Sequence, residues 1–226
     1  FYDAHRIEVI RARAERIDRE RKLLVLKDGR AIPFDVMLLA PGAEPNRLKI
    51  PVSGQVHYLR SLADSRSIIR AAEAGKRVVV LGASFIGLEV AASLRSRGLD
   101  VHVVAPDAHP LERVLGPELG EVVKGVHERH GVQFHLGHTP ASVEADAVVL
   151  ESGERVAADF VVAGIGVTPR LELAEAARLT MDRGVLVNEM LETCCPGIYA
   201  AGDIARWPDP HSGQQIRVEH LVVAVR

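Results

Sequence analysis

Apolar and polar positions alternate over short distances in the opening part of the chain, with apolar runs at 7–10, 22–27 and 32–34 and an Asp28-Gly29 turn between the last two. Short runs broken by a Gly-containing turn predict a small β-meander. At 36–40 the sequence becomes continuously apolar and stops at Pro41-Gly42, the pattern of a strand buried on both faces. A connection punctuated by Pro51 and Gly54 follows, then helical spacing over 62–74 that Gly75 closes. Residues 78–81 read as a second buried strand, glycines come at once, helical spacing runs from about 86 to 97 up to Gly98, and another strand covers 101–104. That is one βαβ unit. A helix over 117–130, stopped by Gly131, leads to a strand at 132–136, and such alternation implies a parallel sheet. Beyond it come a meander at 147–150 and 156–163 around Ser152-Gly153-Glu154, a short helix over 171–177, and a strand pair near 185–187 and 198–201. The pattern predicts an α/β fold.

Composition narrows the function classes. The chain has 226 residues, 47% hydrophobic and 26% charged, a globular balance that excludes disordered and fibrous classes and suits one large or two small domains. Net charge is -2, and the basic residues are interleaved with acids, as in Arg16-Ile17-Asp18-Arg19-Glu20-Arg21, so no single-sign field exists to hold a nucleic acid. The Arg-rich stretch from Arg6 to Lys22 reads as exposed strand faces. The apolar stretch 78–94 is interrupted by Ser84, Glu89 and two glycines, short of the roughly 18 residues a membrane span needs. A cytoplasmic location is expected. Cys194 and Cys195 are adjacent, which makes no CxxC pair, and they are expected to be small buried thiols in a reducing compartment. His127 with His130, and His135 with His138, lack the spacing and third ligand of a metal site and read as solvated side chains, so no metal is expected. The chain opens at Phe1 inside what reads as a strand or turn, as a segment of a longer protein would.

The strongest chemical signal is VVVLGASFIGLEVAASL at 78–94. A tight glycine turn between a strand and a helix lets backbone N–H groups and the helix N-terminus meet a pyrophosphate, whose charge the helix dipole favours. Gly82 opens the turn, Ala83, Ser84, Phe85 and Ile86 carry it, and Gly87 lets helix and strand pack closely. Ser84 stands at the middle glycine of GxGxxG, where its side chain crowds the phosphates or its hydroxyl donates to one. An acid at the end of the second strand is expected on the adenosine ribose, and the nearest is Asp107, with Arg113 in reach of the adenosine end. This favours NADH, with NADPH as the alternative.

Three further motifs are not those of a single Rossmann domain: Leu39-Ala40-Pro41-Gly42-Ala43-Glu44-Pro45, Gly164-Ile165-Gly166-Val167-Thr168-Pro169, and Gly197-Ile198-Tyr199-Ala200-Ala201-Gly202-Asp203. They resemble the ATG-type motif, the GxGxxP motif and the second flavin motif of the pyridine nucleotide-disulfide oxidoreductase superfamily. Ala105-Pro106-Asp107, Arg113-Val114-Leu115 and Arg217-Val218-Glu219-His220 look most like its ferredoxin reductase and apoptosis-inducing-factor branch. The resemblance covers essentially the whole chain. It implies a two-dinucleotide-binding-domain flavoprotein fold with a parallel Rossmann-like sheet and β-meander crossovers, its FAD domain incomplete: FAD segments at 1–72 and 191–226 around an NAD(P)H domain at 73–190.

The same resemblance implies the site. Asp203 would bind the ribityl chain of FAD, with Gly202 letting the backbone approach; Ala40, Gly42, Asn46 and Arg47 would lie against the flavin nucleotide. Gly82 to Phe85, Ile86, Gly87, Asp107, Arg113, Gly164 and Gly166 would contact NADH, and Glu89 would face the nicotinamide. Glu219, His220 and Leu221 would sit beside the isoalloxazine ring, Glu89, Glu219 and His220 forming the catalytic set. Departures are Pro41 where threonine is usual, Ser84 where glycine is, and Leu221 where an aromatic or His often packs. The first FAD glycine motif and a flavin-proximal lysine would lie before Phe1, and a C-terminal interface domain after Arg226. The implied activity passes hydride from NADH to FAD and electrons to a small redox protein, such as a ferredoxin, rubredoxin or Rieske-like carrier. The alternatives are a redox-sensing flavoprotein and a fragment that binds NADH alone. With no Cys before 194, the thioredoxin-reductase pattern is excluded.

Overall fold

A computed structural model of the chain describes residues 1–218 and divides them into two compact units, 1–44 with the residues from 169 onward, and 45–168. These limits differ from the expected breaks at 72/73 and 190/191. Strand Val56–Tyr58 and helix Leu62–Ala74 account for the first difference, because both pack into the core of 45–168. The helix starts where the sequence places it, on a capping box in which Asp64 N–H donates to Ser61 Oγ and Ser61 N–H donates back to the Asp64 carboxylate.

The 45–168 unit is built on a five-stranded parallel sheet in the order Val56–Tyr58, Phe160–Ala163, Arg77–Leu81, Asp100–Ala105, Val132–Leu136. Its sequence signature is the continuous apolar run, since helices and a meander cover opposite faces. Val78, Val80, Val101, Val103 and Val162 point to the helix side, where Ile68, Val90, Ala91 and Leu94 meet them. Val79, Leu81, Val104 and Val161 point the other way, onto Val143, Val148, Leu150 and Val156. The latter come from an antiparallel meander of Pro140–Val143, Ala147–Leu150 and Arg155–Ala157. The expected strand over 156–163 is therefore two strands, one in each layer. The expected helix over 117–130 is Glu112–Arg129 and is interrupted at Gly116, whose φ of +79° breaks the helical path just before Pro117.

The other unit begins with a meander of Ala14–Asp18, Leu23–Leu26 and Ala31–Pro33. Its first strand is Ala14–Asp18, not 7–10, because Ile17 reaches the core while Ile7 and Val9 stay exposed. Met37–Leu39 pairs in parallel with Ile198–Ala200, and Val185–Leu186 pairs with Ala205–Pro208, so the expected pairing of 185–187 with 198–201 does not form. Nor is 36–40 buried on both faces: Met37 and Leu39 are buried, whereas Val36, Leu38 and Ala40 are exposed.

Candidate functional site

At the carboxyl end of Arg77–Leu81 the chain turns through Gly82, whose φ is +103°. A Cβ there would strike the carbonyl oxygen of Gly164, and a Cβ on Gly87 would strike the carbonyl oxygen of Gly82. A Cβ on Gly164 would sit 3.1 Å from the Gly87 Cα. The three glycines are thus interlocked backbone to backbone, which only residues without a side chain permit. Strand register delivers the third: Ala163 pairs with Leu81, so Gly164 follows its strand at the level of Gly82, and its N–H donates to Leu81 O at 2.8 Å. The lock holds the start of helix Phe85–Ser96 against the strand ends, where its first N–H groups lack intrahelical partners and its dipole is positive. Ser84 is the N-cap, yet its hydroxyl donates to Gly164 O at 3.1 Å rather than to the helix. Its side chain is turned onto the neighbouring strand end, leaving the backbone donors uncapped.

Beside this turn lies a cavity of about 330 Å³. Its lining includes Gly82, Ala83, Ser84, Phe85, Gly164 and Gly166 together with Asp107 and Arg113. The latter two are paired, with Arg113 Nε donating to Asp107 Oδ1 at 3.0 Å and Nη2 at 2.9 Å from the same oxygen. Sequence reasoning missed Pro106, Leu111, Val114 and Ile165 in this wall. Leu111 has φ +55° and donates its N–H to Ala83 O at 3.0 Å, which draws the following loop onto the glycine turn. No side-chain pattern announces that, because it is a backbone contact of a residue in an unusual conformation. Ile86 and Glu89 are exposed on the helix, and neither they nor Gly87 belong to the cavity lining.

Asn46 and Arg47, expected against a flavin nucleotide within 1–72, fall in the 45–168 unit. Asn46 fastens the Gly164–Gly166 turn: its N–H donates to Gly166 O at 3.0 Å, its Nδ2 to Ile165 O at 3.2 Å, and Thr168 Oγ1 donates to its Oδ1 at 2.6 Å. The Arg47 guanidinium stands 4.1 Å over the Tyr58 ring.

In the first unit, Ala201 N–H donates to Leu39 O at 3.0 Å, so Ala40–Gly42 and Gly202–Asp203 leave neighbouring parallel strands at the same end. Gly42 and Gly202 have φ of +72° and +69°. Asp203 sits half-buried in a single 3-10 turn, and its carbonyl accepts from Arg217 Nη1 at 3.2 Å. A polar cavity of about 750 Å³ opens next to Pro41, walled by Arg13, Glu15, Lys27 and the Glu44–Arg170 pair, whose closest approach is 2.8 Å. Glu219, His220 and Leu221 lie outside the described residues.

The cysteines and two of the histidines, His127 and His135, depart from expectation, while His130 is exposed as expected. Cys194 is exposed, whereas Cys195 is half-buried and packs against the core of its unit, so only the first departs fully from a buried thiol. His102 and His135 stack at 5.3 Å between centroids and share a 3.0 Å nitrogen contact, with Glu154 3.4 Å from His135 Nδ1; they are packed polar groups of the sheet rather than solvated ones. Burial holds His127 and His135 below the usual imidazole range. Among the described residues no three His, Cys, Asp or Glu side chains are grouped to hold a metal, and no helix is long and apolar enough to cross a membrane.

Comparison with known proteins places this geometry. The family model for pyridine nucleotide-disulphide oxidoreductases matches residues 3–226. The chain is 37% identical over 231 residues to the ferredoxin–NAD(+) reductase component of an anthranilate 1,2-dioxygenase system from Burkholderia cepacia, covering 99% of this chain and 57% of that protein. It is 39% identical to rhodocoxin reductase from Rhodococcus erythropolis, covering 100% of this chain and 55% of the relative. A crystal structure of a ferredoxin reductase from Rhodopseudomonas palustris superposes with a TM-score of 0.94 at 37% identity, over 99% of this chain and 57% of the other. The chain spans a little over half the length of these relatives. With a glycine-locked strand-to-helix turn, a second glycine strand beside it and a Gly-Asp strand end in the other unit, the chain belongs to the pyridine nucleotide-disulphide oxidoreductase family.

Proposed function

We propose that the protein containing this chain is an FAD-dependent NADH oxidoreductase that passes electrons to a small iron–sulfur or rubredoxin-type carrier. The observation that carries the reading is the Gly82–Gly87–Gly164 lock, which presents an uncapped helix N-terminus to a cavity that Asp107 and Arg113 also line. The uncapped N–H groups would bind the NADH pyrophosphate, and the Asp107 carboxylate would accept from the adenosine ribose hydroxyls. Phe85 and Ile165 would keep water from the rings of the dinucleotide, and Glu89 would orient the nicotinamide. In the other unit the positive-φ backbone at Gly42 and Gly202 fits close approach of a nucleotide, and Asp203 would hold the ribityl hydroxyls. A bound flavin supplies two-electron acceptance from a nicotinamide and one-electron release to a protein carrier. Relatives described as ferredoxin–NAD(+) reductase and rhodocoxin reductase support the carrier, and the free cysteines suit work in the cytoplasm.

The test is a visible absorption spectrum of the full-length protein, recorded before and after anaerobic NADH and then NADPH. Flavin bands that bleach with NADH and recover when an oxidised ferredoxin or rubredoxin is added are expected. A colourless protein would overturn the flavin assignment, and bleaching by NADPH alone would overturn the nicotinamide preference.

A further inference from the structure

The adjacent thiols of Cys194 and Cys195 are held in one tightly bonded turn. Thr193 N–H donates to Ile198 O at 2.9 Å, Cys195 N–H to Thr193 Oγ1 at 3.2 Å, and Gly197 N–H to the Glu192 carboxylate at 2.9 Å. The two sulfurs stand 4.0 Å apart. Each has a further donor of its own: Thr180 N–H reaches Cys194 Sγ at 3.4 Å, and Arg19 Nη1 reaches Cys195 Sγ at 2.9 Å. Two N–H donors with one S–H between the sulfurs satisfy a thiol–thiolate pair that carries a single negative charge: Thr180 N–H and the Cys195 S–H meet a Cys194 thiolate, and the Arg19 guanidinium, bonded to Cys195, stands one sulfur away from that charge. Access is on the Cys194 side, since that residue is exposed and forms part of the wall of an open cavity of about 680 Å³ with Asn188, Met190 and Thr193.

From this arrangement we propose that Cys194 and Cys195 are a reversible oxidation site, at which a hydroperoxide converts the dithiol to a vicinal disulfide with Cys194 attacking and Cys195 resolving. The Cys194 thiolate attacks one peroxide oxygen; an S–O bond forms, the O–O bond breaks, and the leaving oxygen takes a proton and departs as water or an alcohol. The Cys195 sulfur then attacks the sulfenic sulfur; the S–S bond forms, the S–O bond breaks, and the hydroxyl leaves as water with the Cys195 proton. The peroxide is reduced and the two thiols are oxidised by two electrons. Donation from Thr180, with Arg19 adding a favourable field, holds the Cys194 thiol below its ordinary range and so favours the attacking form. Reversal is built in. Adjacent Cα atoms are about 3.8 Å apart, closer than ordinary bridges span, so the ring is readily opened by a small dithiol, which leaves as its own disulfide. The ring closes in the turn that leads into strand Ile198–Ala200 and the Gly202–Asp203 end.

The experiment is thiol counting by intact mass, on the purified protein treated with hydrogen peroxide and then with a maleimide. Both thiols are expected to escape the maleimide, with a mass lower by two hydrogens, no chain dimer on a non-reducing gel, and full recovery after dithiothreitol. In Cys195→Ser, dimedone is expected to trap a sulfenic acid on Cys194, and Arg19→Ala is expected to slow oxidation of the pair about threefold or more. The proposal is overturned if both thiols of the native protein remain open to maleimide, if the bridge joins two chains, or if Cys195→Ser takes up no dimedone. None of these readings depends on a flavin or on NADH, so they stand apart from the proposed electron transfer.

Discussion

Strand Arg77–Leu81 and strand Met37–Leu39 both run into a glycine turn, but their surroundings differ. The first lies between two parallel neighbours, and every residue from Val78 to Leu81 is buried. The second is paired with Ile198–Ala200 alone among the described residues, and Leu38 on its outer face is 61% exposed. The glycines differ for the same reason. Gly87 is required because the Gly82 carbonyl occupies the space of its side chain, whereas a Cβ on Gly202 meets nothing within 4 Å and only its φ of +69° favours glycine. A glycine beyond a strand end therefore has two physical causes, a steric lock in the 45–168 unit and an open torsion in the other.

Substitution should separate the two. Gly87→Ala is expected to cost about 3 kcal/mol or more, because the obstacle is backbone and cannot swing aside, and to abolish NADH binding. Gly202→Ala should cost about 1 kcal/mol, the strain of a positive φ alone. Urea unfolding with NADH titration measures both, and equal losses would remove the distinction. Next in size is Asp203→Ala, expected to lower retained flavin about tenfold or more, as loss of a charge-assisted hydrogen bond would, while NADH binding is kept. A mutant that purifies with full flavin absorbance would refute the assignment. Glu89→Ala changes an exposed side chain, so the fold should be untouched and only reduction by NADH slowed in stopped flow. Unchanged kinetics would remove Glu89 from the nicotinamide site.

The contrast also explains what was legible in the sequence. Where the signal is local, the limits were legible: Leu62–Ala74, set by helical spacing and a capping box, and Val132–Leu136 have the expected limits, and Arg77–Leu81, buried on both faces, differs by one residue. Where pairing decides, composition was not enough. The partner of Val185–Leu186 is Ala205–Pro208, a strand that carries Trp207 and ends in a proline, with no apolar run to mark it. In the site, the glycines and Asp107 were legible because each has a side-chain or no-side-chain requirement at a set spacing. Leu111, Ile165 and the Asn46 clamp were not, since their hydrogen bonds involve main-chain carbonyls of segments far apart in sequence, which no residue type announces.

A modest effect tests the opposite end of the locked strand pair, Arg77–Leu81 with Phe160–Ala163. The Asp159 carboxylate accepts from Lys76 N–H at 2.7 Å and Arg77 N–H at 2.9 Å and pairs with Arg77 Nη2 at 2.6 Å, tying the start of Arg77–Leu81 to the start of Phe160–Ala163. The Arg77 guanidinium above all, with the two backbone donors, takes the Asp159 carboxyl from 3.8 down to about 2. Since the folded value lies below the unfolded one, the contribution is complete above about pH 4 and is lost as pH falls toward 2. Both side chains are partly exposed, which keeps the worth of the clamp modest, so Asp159→Asn should lose about 1 kcal/mol at neutral pH. Its stability should also fall less steeply than that of the native protein between pH 4 and 2. A second window comes from His57, His127 and His135, which burial holds below 6.5; each favours the neutral form more in the fold than in the open chain, so stability declines as pH drops below about 6.5, in the mutant as in the native protein. Urea midpoints followed across pH distinguish the two, because Asp159→Asn should flatten only the acid limb. If both limbs change together, the clamp is not an independent tie, and the glycine lock alone sets the stability of that strand pair.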